Sequence, residues 1–267
     1  LSGGIDSGSI AGLMRELTQK KIEGITIHFD EYKGKPVDES PLASRIADLY
    51  DINLYNRKVT KSEFLSDINN IFDAMDQPSR DGVQLWYAAK AVKELGLKVV
   101  ISGVGGDELF FGYNNFKELP KLVSRWEKLF KIPGFETVAF YFFQLLYKYR
   151  DNSYWLYFPK WIKNIKGAWL LRRGLYDPVI IRKLFGKKFD GKLQNLNLDK
   201  FFDKFTTNIP ENKKFALAQL DTTIYMRNQQ LRDSDWSSMY HGVEIRTPLV
   251  DLELSNKMKS KLQYFNT

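Results

Sequence analysis

The chain opens Leu1-Ser2-Gly3-Gly4-Ile5-Asp6-Ser7, and this heptapeptide decides how the rest is read. Two adjacent glycines remove the Cβ atoms from one short loop, so backbone N–H groups can turn inward onto an anion. Ser2 and Ser7 add hydroxyl donors. Asp6 adds a carboxylate suited to holding Mg²⁺ against a phosphate rather than meeting the phosphate itself. Ile10, Leu13, Met14 and Leu17 then recur at helical spacing, which predicts a helix reaching about Lys20. The loop therefore lies at a helix N-terminus. The dipole there is worth only about 0.3–1 kcal/mol to an anion, so the glycine nest and a metal must supply most of the affinity. No Gly-Lys-Ser/Thr and no nearby lysine is present, which excludes a Walker loop. An isolated Ser-Gly-Gly turn would read as a plain helix cap; the full string favours phosphate binding.

Helix and strand patterns alternate through residue 116. A β-branched run at 25–29 ends at Asp30. Pro41 fits a first helical turn, with Leu42, Ile46 and Leu49 as that helix's apolar face. Residues 52–59 read as a strand. Phe64, Leu65, Ile68 and Phe72 mark a helix. Val83, Trp86, Tyr87, Ala91 and Leu95 mark the next, stopped at Gly96. A strand at 98–102 runs straight into Gly103-Val104-Gly105-Gly106-Asp107-Glu108. The alternation predicts an α/β fold, a parallel sheet with helices on both faces. Ligands of such sheets bind beyond the carboxyl ends of the strands, where both glycine loops lie, so the loops are read as one site. The third glycine position of GxGxxG holds Glu108, which excludes a Rossmann dinucleotide site. Beyond 116 the strand signals fade. The expected division is a nucleotide-binding part at 1–116 and a mostly helical part at 117–267. The aromatic-dense stretch 135–161 is expected in the core, 195–210 is expected to be loop-rich, and 213–231 to be a helix with Phe215, Leu217, Leu220, Ile224 and Leu231 inside.

Composition narrows the classes. The 267 residues are 43% hydrophobic and 27% charged, ordinary for a soluble globular chain. The absence of cysteine excludes disulfides, zinc–thiolate sites and cysteine nucleophiles within it. The two histidines, His28 and His241, read as packing residues. The longest apolar stretch, 138–147, is broken by Gln144 and is too short to span a bilayer. No signal peptide is visible, so a cytoplasmic setting is expected. The net charge of +8 is uneven, −4 over residues 1–116 and +12 over the remainder. The basic residues are scattered among aromatics and acids, which reads as a solvated surface rather than a nucleic-acid footprint. Position 1 is not Met, and a phosphate loop should follow a buried strand. The expectation is therefore a fragment whose first strand, and anything before it, has been removed.

Four strings now stand in order: LSGGIDS at 1–7, MDQPSRDG at 75–82, SGVGGDELFFGY at 102–113 and LRDSDWSSMYHGVEIRTPLVD at 231–251. The first resembles the PP-loop of N-type ATP pyrophosphatases, which implies an adenine nucleotide alpha hydrolase-like fold. Together they resemble the synthetase domain of glutamine-dependent asparagine synthetases. That resemblance implies ATP and Mg²⁺ as cofactors, with aspartate and ammonia as substrates. A carboxylate does not react with ammonia because hydroxide leaves poorly. Attack on the α-phosphorus of ATP makes an acyl-adenylate, releases pyrophosphate, and lets ammonia displace AMP. By the resemblance, Ser2, Gly3, Gly4, Asp6 and Ser7 cradle pyrophosphate, and Asp6 and Asp107 hold Mg²⁺. The main chain of Leu1 and Ile27 meets the nucleotide, and Ser102 and Gly103 bind the adenylate. Arg232, Asp235, Glu244 and Arg246 are placed near the substrate, with Asp6, Asp107, Arg232 and Asp235 as the catalytic set. Asp107 also reads as a helix N-cap, and Glu244 and Arg246 equally as an ion-pair network pinning the helical region to the sheet.

Three departures accompany the resemblance. Val104 stands where the family has glutamate, and valine can neither accept a proton nor stabilise charge. Without cysteine this chain cannot draw ammonia from glutamine, so a glutaminase domain absent here must supply it. The family's downstream catalytic lysine has no counterpart among Lys257, Lys259 and Lys261, and the chain stops at Thr267. The sequence as given is therefore expected to be truncated at its C-terminus, to bind nucleotide poorly and not to turn over. Val104 favours one rival, a sister synthetase of β-lactam-forming or peptide-cyclising type. A tRNA-modifying PP-loop enzyme is favoured only by the basic second part, and sulfur-transferring members of that group commonly need cysteines. Intact Asp6 and Asp107 argue against a non-catalytic scaffold. A homodimer is the candidate assembly, with no nucleic acid and no membrane expected.

Overall fold

The computed structural model describes residues 1–35, 38–79, 81–150, 152–174, 176–186, 198–206 and 208–265. In chain order the elements are α1 (Ile5–Leu17), β1 (Ile22–Phe29), α2 (Ser40–Leu49), β2 (Ile52–Val59), α3 (Lys61–Ala74), α4 (Gly82–Glu94), β3 (Val99–Ile101) and α5 (Gly106–Phe110). Then follow α6 (Asn115–Leu129), α7 (Phe135–Arg150), α8 (Tyr154–Trp161), α9 (Ile165–Arg173), α10 (Pro178–Phe185), α11 (Leu198–Asp203) and α12 (Lys213–Leu220). A π-helical stretch, Asp221–Gln230, leads into α13 (Leu231–His241), β4 (Glu244–Arg246) and α14 (Leu252–Phe265). Two compact units result: Leu1–Phe110 with Met226–Thr267, and Phe111–Tyr225. The division drawn from the sequence at 116 left residues 226–267 with the helical part, whereas their contacts group them with the opening residues.

In the first unit the strands pair in parallel. Ile22 lies opposite Ile52 and Phe29 opposite Val59, with α2 as the crossover that a parallel pair requires. β3 pairs with β4, a strand the sequence reading missed among residues where strand signals had faded. Three residues with one half-buried centre, Ile245, are too short to show a period. The strands are parallel as expected, but among the described residues they form two separate two-stranded sheets, β1–β2 and β3–β4, rather than the one sheet expected.

Boundaries and faces also differ. α1 stops at Leu17 rather than Lys20 because Thr18 is already extended, and β1 begins three residues early at Ile22. Leu42 and Leu49, expected inside, are 50% and 72% exposed; α2 instead packs on the strands through Ala43 and Ala47. Small residues let the helix lie close to the ladder. In α3 the buried position is Ile71, while Leu65 and Phe72 face outward. Trp86 and Tyr87 of α4 form the centre of a core with Val59, Ile71 and Trp236. Around it Arg57 of β2 bonds both Glu63 (2.5 Å) and Glu94 (2.8 Å), and Lys90 bonds Glu63 and Asp67, so α3 and α4 are tied to β2. The Arg57 bonds hold the Glu63 carboxyl down at about 2.

His241 closes α13 edge-on to Trp86, with ring centroids 4.5 Å apart. Its Nε2 has no hydrogen-bond partner among the described residues. Burial, aided by the charges of Lys93 and Lys90, pushes its pKa down to about 4. The unfolded chain takes up that proton near pH 6.5 and the folded chain only near pH 4. Stability is therefore complete above pH 6.5 and falls as pH drops toward 4, by about 2–3 kcal/mol from this residue. In urea unfolding across that window, His241→Phe should flatten the pH dependence; an unchanged slope would show that His241 is not its source.

The second unit packs around Phe116, Val123, Phe143, Phe158, Ile162 and Trp169, joined by Leu217 and Leu220. Of the stretch 135–161, Ala139, Phe143, Phe158 and Trp161 are buried, but Val138, Tyr141, Phe142 and Leu145 are exposed, which corrects the expectation of a core stripe. α7 is apolar nearly all round, while only one side of it meets α8 and the core. Within 195–210 the described residues include α11 where loop was expected; 195–197 and 207 lie outside the described residues. The helix expected over 213–231 is present as α12 to Leu220 continued by the π-helical stretch Asp221–Gln230, with Leu217, Leu220 and Ile224 buried as expected. No helix among the described residues is long and apolar enough to cross a membrane.

Candidate functional site

The opening turn begins beside β1, where the Leu1 nitrogen donates to the Ile25 carbonyl. Ser2 and Ser7 close the turn on itself: their hydroxyls are 2.9 Å apart, Ser2 N–H donates to Ser7 Oγ (3.1 Å), and Gly4 N–H donates to Ser2 Oγ (3.1 Å). A Cβ on Gly3 would come 2.7 Å from that of Leu42, so only glycine fits there. Gly4 occupies the N-cap of α1 with no side-chain cap, and Asp6 lies in the first helical turn.

The second turn leaves β3 at Ser102, whose N–H donates to the Arg246 carbonyl (2.8 Å). Val104 N–H donates to Ser102 Oγ (3.3 Å), and Gly106 N–H to the Gly103 carbonyl (3.3 Å). Gly105 has φ +97°, the left-handed region that glycine tolerates at no steric cost. The glycines of this turn form a wall against the first turn. A Cβ on Gly103 would stand 2.8 Å from Ser7 N, and one on Gly106 would stand 2.2–2.5 Å from the Asp6 carboxylate. The Asp107 N–H donates to that same carboxylate. Burial raises the Asp6 pKa, the charge of Asp107 raises it further, and the Asp107 N–H opposes both. The structure thus brings Ser2, Gly3, Gly4, Asp6 and Ser7 against Gly103, Gly106 and Asp107. α5 starts at Gly106, so Asp107 lies inside its first turn rather than at the N-cap, a correction to that alternative. Glu108 beside it is buried.

The other residues singled out from the sequence sit as follows. Ile27 is half-buried in β1 opposite Arg57. Arg232 gives its side-chain hydrogen bonds to Asp76 (2.6 Å) and Gln77 (2.8 Å), and Asp235 is exposed on α13. Glu244 and Arg246 are exposed and bond one another within β4 at 2.9 Å, so they pin no helix to the sheet. The residue that was missed stands between Arg232 and Asp235. Asp233 is fully buried and accepts from Ser79 Oγ (2.5 Å) and Trp236 Nε1 (3.0 Å). Burial raises its pKa against those two bonds. Gln77 donates to the Asn228 carbonyl and Gln229 to Asp81, so Asp76, Gln77, Ser79 and Asp81 are latched to residues of 228–236. The Asp-x-x-Trp spacing on one helix face was the signal available.

A family model described as Asparagine synthase matches residues 1–257. The chain is 24% identical to asparagine synthetase [glutamine-hydrolyzing] 1 of Bacillus subtilis, over all of this chain and 41% of that protein. It is 32% identical to the putative asparagine synthetase [glutamine-hydrolyzing] 2 of Methanocaldococcus jannaschii over 42% of this chain and 22% of that one. It is also 32% identical to the amidase chry2 of Gibberella zeae, over 44% of this chain and 19% of that one. The chain thus spans well under half the length of these relatives.

Proposed function

The chain belongs to the asparagine synthase family, and from that premise we propose that it performs the ATP-consuming part of amide formation, adenylating the side-chain carboxylate of aspartate so that ammonia can displace AMP. The observation that carries the proposal is the approach of the two glycine turns, with Asp6 held by the Asp107 N–H and its charge disfavoured by that of Asp107. A divalent cation relieves that repulsion. Among the described residues no three metal-ligating side chains converge, and two carboxylates alone suit Mg²⁺, which keeps several waters and takes its remaining ligands from phosphates. Asp6 and Asp107 would hold it, and it would supply neutralisation of the pyrophosphate charge.

In this reading the chain's own groups do the rest. The Ser2 and Ser7 hydroxyls and the turn amides exchange their mutual bonds for phosphate oxygens. The main chain at Leu1, Ile27, Ser102 and Gly103 orients the nucleotide. Arg232, oriented by Asp76 and Gln77, and Asp235 stand on the substrate side. The same proposal includes ammonia from a glutamine-hydrolysing domain, a cytoplasmic setting and a homodimer. Full-length protein given MgATP and aspartate should release pyrophosphate, and Asp107→Asn should cut the rate about 10²–10³-fold. Aspartate-dependent release untouched by both Asp107→Asn and Asp6→Asn would overturn the proposal. Val104, half-buried in the second turn, favours a second reading in which a sister synthetase of β-lactam-forming or peptide-cyclising type activates another carboxylate. Comparing which acid triggers pyrophosphate release separates the two.

A further inference from the structure

The unit Phe111–Tyr225 contains a cavity of about 530 Å³ between α6, α8 and α9. Its floor is apolar and built from core residues, Leu119, Ile162 and Leu171 among them. Its rim is cationic. Lys121 and Arg125 lie one turn apart on α6, and Arg172 faces them from α9. One carboxylate, Glu118, accompanies these three cations. Lys121 and Arg125 have no ion-pair partner among the described residues, and like charges at i,i+4 repel. Arg172 gives its Nε to Asn115 Oδ1 at 2.8 Å, which fixes the side chain without neutralising it. Tyr154 completes the lining, and burial raises its pKa, so it remains a phenol able to donate.

Long basic side chains often cover apolar surface with their stems while the head stays in water. Here the stems leave a void large enough for a small organic molecule. An apolar floor under uncompensated positive charge calls for a ligand with both properties. We propose that this cavity binds a small amphipathic anion, an apolar chain carrying a carboxylate or phosphate head, with the chain over Leu119, Ile162 and Leu171 and the head between Arg125 and Arg172. The proposal is independent of the adenylation reading.

Isothermal titration of the full-length protein with octanoate, octyl phosphate and octylammonium tests it. Both anions should bind, and the anion that binds more tightly identifies the head group. Octylammonium should bind at least about tenfold more weakly, and Arg125→Glu should weaken octanoate by a similar factor or more. Circular dichroism checks that the exposed substitution leaves the fold intact, and the double variant Lys121→Gln/Arg125→Gln replaces it if not. No heat from either anion, equal binding of octylammonium, or undiminished binding by the folded variants would overturn the proposal.

Discussion

In the full-length protein, Gly106→Ala is expected to lower MgATP-dependent pyrophosphate release by about 100-fold or more, the loss that accompanies a misplacement of about 1 Å at a reacting centre. Backbone arguments alone point the other way. Gly106 begins a helix and is not among the residues with positive φ, so alanine should gain up to about 1 kcal/mol of helix propensity. The decisive contact is the added methyl group, which would lie 2.2 Å from Asp6 Cγ and 2.5 Å from both carboxylate oxygens. Asp6 is fixed in the first turn of α1 and by the Asp107 N–H, so it cannot turn aside without giving up that bond. The turns must part, at a cost of about 1–3 kcal/mol of overpacking. Gly8→Ala is the control. Its methyl group would meet Ile46 at 3.4 Å, an ordinary contact, and both activity and melting temperature should hold. Measured side by side, equal behaviour of the two variants would show that the glycine wall does not position Asp6.

The parts of the fold legible from sequence are those written in local periodicity. β2 was read to the residue, and α1, α3 and α4 follow from runs of apolar residues at helical spacing. Local pattern misplaced the faces of α2 and α7, because which side of an apolar helix is covered depends on what packs there. It missed β4 because that strand exists through its pairing with β3, about 145 residues earlier in the chain. The site divides in the same way. The two glycine turns and the acids that accompany them, Asp6, Asp107 and Glu108, are legible by composition. The bond from Ser79 to Asp233 joins residues 154 apart, and that from Arg232 to Asp76 joins residues 156 apart. Such pairs leave no local signature: the Asp-x-x-Trp spacing marks the bond between Asp233 and Trp236, but nothing near Asp233 marks its bond to Ser79.

Asp221→Ala is expected to destabilise the unit Phe111–Tyr225 by about 3–5 kcal/mol, the cost of leaving a buried charge without its partner. Asp221 is only 2% exposed and accepts from Trp169 Nε1 (2.8 Å) and Arg173 Nε (2.9 Å). The Arg173 guanidinium lies over the rings of Tyr225 and Tyr113, 4.0 and 4.7 Å from their centroids. Burial disfavours its charge, and the bond to Asp221 more than reverses that, so its pKa is raised overall. Helix electrostatics do not explain the aspartate, since it stands inside a continuous helical run from Lys213 to His241 rather than at a helix end. The carboxylate is there for Arg173 and Trp169. Asp221→Asn keeps an acceptor for one donor but loses the charge, and should cost about 1–3 kcal/mol. Replacing both charges, Asp221→Leu with Arg173→Met, removes the uncompensated cation and should recover most of the loss seen in Asp221→Ala. Urea unfolding followed by tryptophan fluorescence reads all three. A cost below about 1 kcal/mol for Asp221→Ala, or a double variant less stable than Asp221→Ala, would show that the ion pair is not what holds these helices together.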